Sequence, residues 1–512
     1  MLADEAPRPL PPSAEEAQDP AYLEALAAEL DALRLAVEAL ERRHSADILR
    51  AAPGSRASAR NLVHYLALRS RDIRPLQDRL ARAGLSSLGR SEPHVLVALE
   101  RVRGLIARAL GRTLPASTLL PPVGFREGPA LLASHAHALL GPPPPRRSTR
   151  ILVTLPTQAA DDAVLVSDMG AAGMDGARIN LAHDDPAVWS AMVERVRAVR
   201  PERPVRVFMD LPGPKLRTGP VVGASGPVRV GRGDRFLLVG PMVADRDVVA
   251  LMARTGAVGG VRCDVHAVFR DVRAGQPLAL DDGKVAGRVS EAGGSWLVVD
   301  VTRARRDGVK LKEGRGINLP ETALSLPALG AEDRAALDFV VEHADAVSLS
   351  FVRTPEDVRD VLECLRERNG HSLGLVLKIE TVAAFEHLPA ILFEALSWPR
   401  LGLMIARGDL AVEAGFERLA EVQEELLWIA EAAHLPTIWA TQVLESLAKR
   451  GLPSRAEITD AAMSGRAECV MLNKGPYIVE AIATLDDILR RMDAHQRKKR
   501  TLLRSLSVSG GL

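Results

Sequence analysis

The sequence predicts an α/β protein: a (β/α)8 TIM barrel with an inserted small all-β lid domain and an all-helical N-terminal region. Three observations predict it. Eight short apolar runs follow residue 149, namely RILVTLP, GARINLAH, VRVFMDLPG, AVSLSFV, LGLVLKIE, LGLMIARG, TIWATQV and ECVMLNKG. Each is apolar on both faces, as buried parallel strands are. Amphipathic stretches such as TPEDVRDVLECLRERNG and ERLAEVQEELLWIAEAAHL lie between them, and eight strand–helix units make a barrel. Second, residues 218–315 switch to a period of two with many glycines, as in GPVRVGRGDRFLLVG and GSWLVVDVTRA. That pattern predicts a small β barrel inserted after the third strand, placed as a lid over the C-terminal face. Third, AYLEALAAELDALRLAVEALERR at 21–43 spaces Leu and Ala as an amphipathic helix does.

The remaining organisation follows from composition. Residues 1–18 are rich in Pro, Glu and Ala and predict a disordered tail. Further helical pattern continues to the stiff linker GPPPPRRSTR at 141–150. The expected division is therefore 1–147 for the tail, helical region and linker. The barrel takes 148–217 and 316–495, the lid 218–315, and a basic tail 496–512. Helical packing or oligomerisation is the expected role of the N-terminal region.

Length and charge bound the function. The chain has 512 residues, 47% hydrophobic and 26% charged, the balance of a globular protein with two or three domains. Lys+Arg number 66 against 65 Asp+Glu, so no global field recruits nucleic acid or a membrane. Cys263, Cys364 and Cys469 are far apart in sequence, which argues against a zinc site or a disulfide framework. The acidic, Pro-rich start has no apolar core of a secretion signal, and no apolar run reaches the ~18 residues of a membrane span. A cytoplasmic protein is expected. Only nine lysines occur, none before Lys215, so a lysine inside an apolar strand stands out.

In a barrel, reactive groups sit where strands end. LGLVLKIE ends in Lys378 and Glu380, which share a face at i and i+2, and LGLMIARGD ends in Asp409. Two carboxylates there suit a hard divalent cation, with Lys378 facing a bound phosphate; a rim ion pair without ligand explains them equally. Arg178 and Asn180 share a face of GARINLAH, and Arg suits phosphoryl oxygens, although a solvated turn is the plainer explanation. His183 alone reads as a surface or capping histidine. MDLPGPKLRTG crowds Asp210, Lys215 and Arg217 around a rigid turn. Thr441 is either a hydroxyl donor or a plain β-branched strand residue.

In combination these segments, with LDDGKV, GRGINLP, SFVRTPEDV, ATQVLES and PSRAEITDAA, resemble the pyruvate kinase family from about residue 148 to 490. The resemblance implies Mg²⁺-dependent phosphoryl transfer from phosphoenolpyruvate to ADP, giving pyruvate and ATP in glycolysis, with Mn²⁺ as an alternative metal. It implies catalytic roles for Lys378, Arg178 and Thr441, and substrate contacts for these three with Gly408 and Asp409. Glu380 and Asp409 correspond to the metal ligands. Asn180, His183, Arg217 and Arg315 correspond to the nucleotide neighbourhood, and Asn180, Asp210 and Lys215 to the monovalent-cation neighbourhood. A homo-oligomer is expected.

Departures qualify the likeness. Ala182 and Leu211 stand where the family's potassium site has serine and threonine, and Lys215 where glutamate is usual. In the family, that lysine accompanies independence from potassium, so no K⁺ requirement is expected. Asn473-Lys474-Gly475-Pro476 replaces a Ser-Gly-Glu-Thr run that orders proton delivery. The chain ends about 20 residues after the last barrel helix, so the family's C-terminal effector domain and its sugar-phosphate activation are not expected. Two other readings stay open here: a barrel enzyme acting on another enolate-forming acid, and a weakly active regulatory protein that binds phosphoenolpyruvate or nucleotide.

Overall fold

The computed structural model describes residues 19–114, 119–200, 202–223, 226–498 and 500–501. The tail expected at 1–18 lies outside the described residues, as does 502–512.

The eight apolar runs form eight strands: β1 (Arg150–Thr154), β2 (Gly176–Asn180), β3 (Arg206–Asp210), β4 (Ala346–Leu349), β5 (Gly374–Ile379), β6 (Leu401–Ala406), β7 (Thr437–Ala440) and β8 (Cys469–Leu472). All neighbours are parallel, and β8 pairs with β1 to close the barrel. Every residue of β1 and β4 to β8 is buried, because side chains fill the inside and helices cover the outside.

The barrel interior is one packed cluster containing Leu152, Phe208, Val376, Met404, Ile438 and Met471. It continues into Ala136, Leu139 and Leu140 of the helix Glu127–Leu140. That helix plugs the N-terminal mouth. A Cβ on Gly374 or Gly402, at the starts of β5 and β6, would stand 2.4 or 2.5 Å from a Leu139 methyl. The helix Pro20–Arg43, capped by the Asp19 side chain, buries Leu26, Leu30 and Leu33 in a core shared with barrel helices. The N-terminal helical region is thus built into the barrel.

Between β3 and β4 runs a seven-stranded sheet with its own core around Phe236, Val261, Leu278 and Leu297. The all-β expectation needs correcting on two points. The sheet stays open between its edge strands Val221–Val222 and Ile317–Asn318, so it is not a small closed barrel. It also carries two helices, Asp245–Thr255 and His266–Asp271. Their short 3.6-residue patterns are outweighed in the sequence reading by the long alternating strands Val285–Gly293 and Trp296–Arg303 that follow them. The start of the expected basic tail is a small hairpin, Gln496–Arg497 against Arg500–Thr501.

Candidate active site at the C-terminal rim

The strand ends converge on one cavity lined by Arg178, Asn180, Lys215, Arg217, Lys378, Glu380, Asp409 and Thr441. Its floor is a charged network. Asp210, the last residue of β3, is 1% exposed and accepts from Arg178 Nε at 2.7 Å. Lys378 Nζ lies 3.5 Å from the same Asp210 oxygen, 3.1 Å from Glu380 Oε1, and donates to Ser350 Oγ at 2.9 Å. Ser350 in turn donates to the Leu211 carbonyl. Burial alone would push the Lys378 pKa down, but Glu380 and Asp210 outweigh it, and the ammonium is held charged above its usual range. Burial would likewise raise Asp210, yet Arg178 and Lys378 bring it below the ordinary carboxylate range.

Glu380 behaves differently. Burial, reinforced by Asp409, pushes its pKa up despite Lys378 and a hydrogen bond from the Phe351 amide at 2.7 Å. Asp409, expected to end the strand, lies three residues past the end of β6, in the first turn of the helix Arg407–Ala414 that follows it directly. Its carboxylate accepts from Lys215 Nζ at 2.9 and 3.1 Å. Lys215 therefore sits on an expected metal ligand, a contact that sequence neighbours cannot reveal because the two are 194 positions apart. Among the described residues no group of three His, Cys, Asp or Glu side chains converges for a metal. Glu380 and Asp409 are a two-carboxylate oxygen set whose mutual repulsion a cation would relieve, which fits a hard divalent ion completing its shell with water and substrate oxygens.

Thr441 follows β7 directly with φ +67°, and Gln442 and Leu444 are also left-handed. A β-branched residue there is strained. Buried Arg407 holds the turn, donating to the carbonyls of Ala440 and Thr441 and pairing with Asp460. The Thr441 hydroxyl is buried without a hydrogen-bond partner and faces Gly408, where a Cβ would lie 3.5 Å from Oγ1.

His183 lies in an adjoining pocket with Arg178, Asn180, Lys449 and Lys474. Desolvation, Lys474 and Arg217 lower its pKa. Lys474 thus faces this pocket, while Asn473 reaches the cavity of Thr441. Arg315 stands apart from both pockets on the inserted segment, 3.5 Å from Asp281. Arg217 donates to the Gly314 carbonyl and bridges Gly316 through its backbone.

Sequence reasoning missed Ser350, Phe351, Arg407 and Glu413. A serine closing an apolar strand and a glutamate one helical turn beyond Asp409 were the available signals. Burial pushes the Glu413 carboxyl up to about 7, with Asp409 and Glu380 adding to it against a hydrogen bond from Asn318.

A family model described as pyruvate kinase, barrel domain, matches residues 146–482. The chain belongs to the pyruvate kinase family. It is similar to the pyruvate kinase of Bacillus licheniformis, 30% identical over 373 residues, covering 71% of this chain and 60% of that protein. The pyruvate kinase of Mycobacterium intracellulare is 33% identical over 355 residues, 67% of this chain and 70% of that one. The Thermotoga maritima pyruvate kinase is 29% identical over 368 residues, 70% and 73% of the respective chains. The chain therefore spans about 60% of the Bacillus relative's length. The match to the pyruvate kinase barrel begins at residue 146, after the plugging helix.

Proposed function

We propose that the chain is a pyruvate kinase, transferring the phosphoryl group of phosphoenolpyruvate to ADP to give pyruvate and ATP. One observation carries the reading: Arg178 and buried Lys378 share the single carboxylate of Asp210 and stand beside Glu380 at the rim. Phosphoryl transfer asks for positive charge around the equatorial oxygens more than for covalent help. Arg178 offers a planar fork to those oxygens. Lys378, kept protonated by its neighbours, takes the bridging oxygen and then the enolate oxygen.

Glu380 and Asp409 would hold Mg²⁺, with Mn²⁺ as the alternative; bound there it would neutralise phosphoryl and enolate charge. The Gly408 amide, at the start of the helix Arg407–Ala414, suits the substrate carboxylate. The bond from phosphorus to the bridging oxygen breaks as a terminal oxygen of ADP bonds to phosphorus. The Thr441 hydroxyl then serves proton delivery to the methylene carbon, completing pyruvate. Asn180, His183, Arg217 and Arg315 are assigned to the nucleotide. Asn180, Asp210 and Lys215 form the monovalent-cation neighbourhood, where the Lys215 ammonium replaces K⁺. The division into a barrel of 148–217 and 316–495 with a lid of 218–315 belongs to the same reading.

A lactate-dehydrogenase-coupled assay with phosphoenolpyruvate, ADP and Mg²⁺ tests it. Pyruvate formation is expected from the unaltered chain, with loss of at least about 10³-fold in kcat for Lys378→Met. Turnover that survives this substitution would overturn the proposed chemistry.

A further inference from the structure

The helix Arg407–Ala414 presents Gly408 and Asp409 to the cavity from its first turn and meets the inserted segment at its other end. Glu413 Oε1 accepts from Asn318 Nδ2 at 3.0 Å. One turn of the insertion rests against the neighbouring residue, since a Cβ at Gly283 would lie 3.4 Å from Val412 Cγ2. Arg303 of the insertion covers the ring of Phe416, 5.7 Å from its centroid.

The Asn318 bond is placed to matter. Asn318 is 4% exposed and ends the strand Ile317–Asn318, which pairs with Leu280 and Ala279 of the inserted sheet. Two residues earlier, Gly316 forms the backbone bridge to Arg217, and Arg315 precedes it. The Arg315 amide is itself tied to Thr218 Oγ1 at 2.9 Å. One side-chain hydrogen bond from the helix that bears Asp409 therefore anchors the short stretch of backbone that carries Arg315 and registers Arg217.

We propose that Glu413 is a positioning residue. By holding Asn318 it sets where Arg217 and Arg315 stand relative to Asp409, and so governs nucleotide affinity rather than the chemistry on phosphoenolpyruvate. This rests on reading the two arginines as ligands of nucleotide phosphates. Glu413 need not touch either substrate, because it acts through the backbone of 315–318.

The test uses the full chain with ADP and Mg²⁺ as probe. Calorimetric titration gives the ADP dissociation constant, and the coupled assay separates the ADP KM from kcat and the phosphoenolpyruvate KM. Loss of a buried hydrogen bond should weaken ADP binding about tenfold in Glu413→Ala. The same shift is expected in Asn318→Ala, and the double variant should be no worse than either alone. Glu413→Gln keeps an acceptor oxygen and should restore affinity to within about twofold of the unaltered chain. The proposal fails if Asn318→Ala leaves ADP binding unchanged, if the double variant is additive, or if Glu413→Gln is as weak as Glu413→Ala. It also fails if both substrates' KM values rise together, which a general loosening of the site would produce. An unaltered chain that binds ADP, shows these shifts and yet makes no pyruvate would sink the functional reading and leave the positioning role standing.

Discussion

Lys215 ties the segment after β3 to the helix that follows β6. Its ammonium reaches Asp409 at 2.9 Å and lies 5.5 Å from the Phe351 ring centroid. Under the proposed function this fixed lysine charge takes the place of a monovalent cation. Replacing K⁺ with Tris or Na⁺ in the coupled assay should leave the rate within about twofold, because the tethered ammonium needs no bulk ion. Lys215→Ala should slow turnover by about tenfold or more, with partial recovery on adding K⁺. A rate that collapses without K⁺ in the unaltered chain would refute potassium independence. At this scale much was legible. Lys378 and Glu380 announced themselves by sharing a face at the end of an apolar strand, whereas Ser350 and Glu413 matter only through partners 28 and 95 positions away.

Among the elements, the helix Glu127–Leu140 departs furthest from expectation. Its sequence offers an apolar face and no hint of what covers it. In the structure Leu139 fills the space left by two glycines beneath the barrel, and Gly141 turns the chain at φ +82° towards β1. Arg150, the first residue of β1, locks that turn by donating to the Gly141 carbonyl. Leu139→Ala would open a cavity against Gly374 and Gly402 and should cost about 2–5 kcal/mol in stability. Chemical denaturation followed by fluorescence checks this, while the KM values for both substrates should hold because the rim lies at the opposite end of the strands. Equal stability of this variant and the unaltered chain would show that the helix does not plug the barrel. The strands themselves were legible as elements because they are apolar on both faces, and their order around the barrel follows chain order.

For the molecule as a whole, the decisive junction joins the helical region to the helix Phe416–Ala432 and the loop after it. Asn61, fully buried, donates to the carbonyls of Glu92 and Ala432 and accepts from the Val95 amide. His434 Nε2 donates to the Pro93 carbonyl at 2.9 Å, so the neutral ring's Nδ1 accepts from the Ser58 hydroxyl at 2.9 Å. The His434 carbonyl takes the His135 Nδ1 hydrogen at 2.8 Å. Burial pushes His434 down to about 4, and the nearby His135 and His94 add to this against the Pro93 bond. In the unfolded chain the ring takes its proton near pH 6.5. Its contribution is therefore full above about 6.5 and falls away as pH drops towards about 4, a loss of about 3 kcal/mol at most. Denaturation midpoints measured between pH 7.5 and 4.5 should decline more steeply in the unaltered chain than in His434→Asn, a residue that tolerates the left-handed backbone at φ +51°. Parallel slopes would remove His434 from the account.

What the sequence by itself determined is the α/β barrel with its helical N-terminal region, and which polar residues close the barrel strands. Periodicity records burial on one or both faces, and strand ends record where polar groups can face a ligand. Only the tertiary structure decided that Lys215 pairs with Asp409, that Arg178 and Lys378 share Asp210, that the insertion is an open sheet with two helices, and that the N-terminal region closes the barrel. Each of these depends on which surfaces meet. A chain's periodicity encodes that a face is apolar or a residue charged, but the partner that satisfies it is chosen by the packing of the whole.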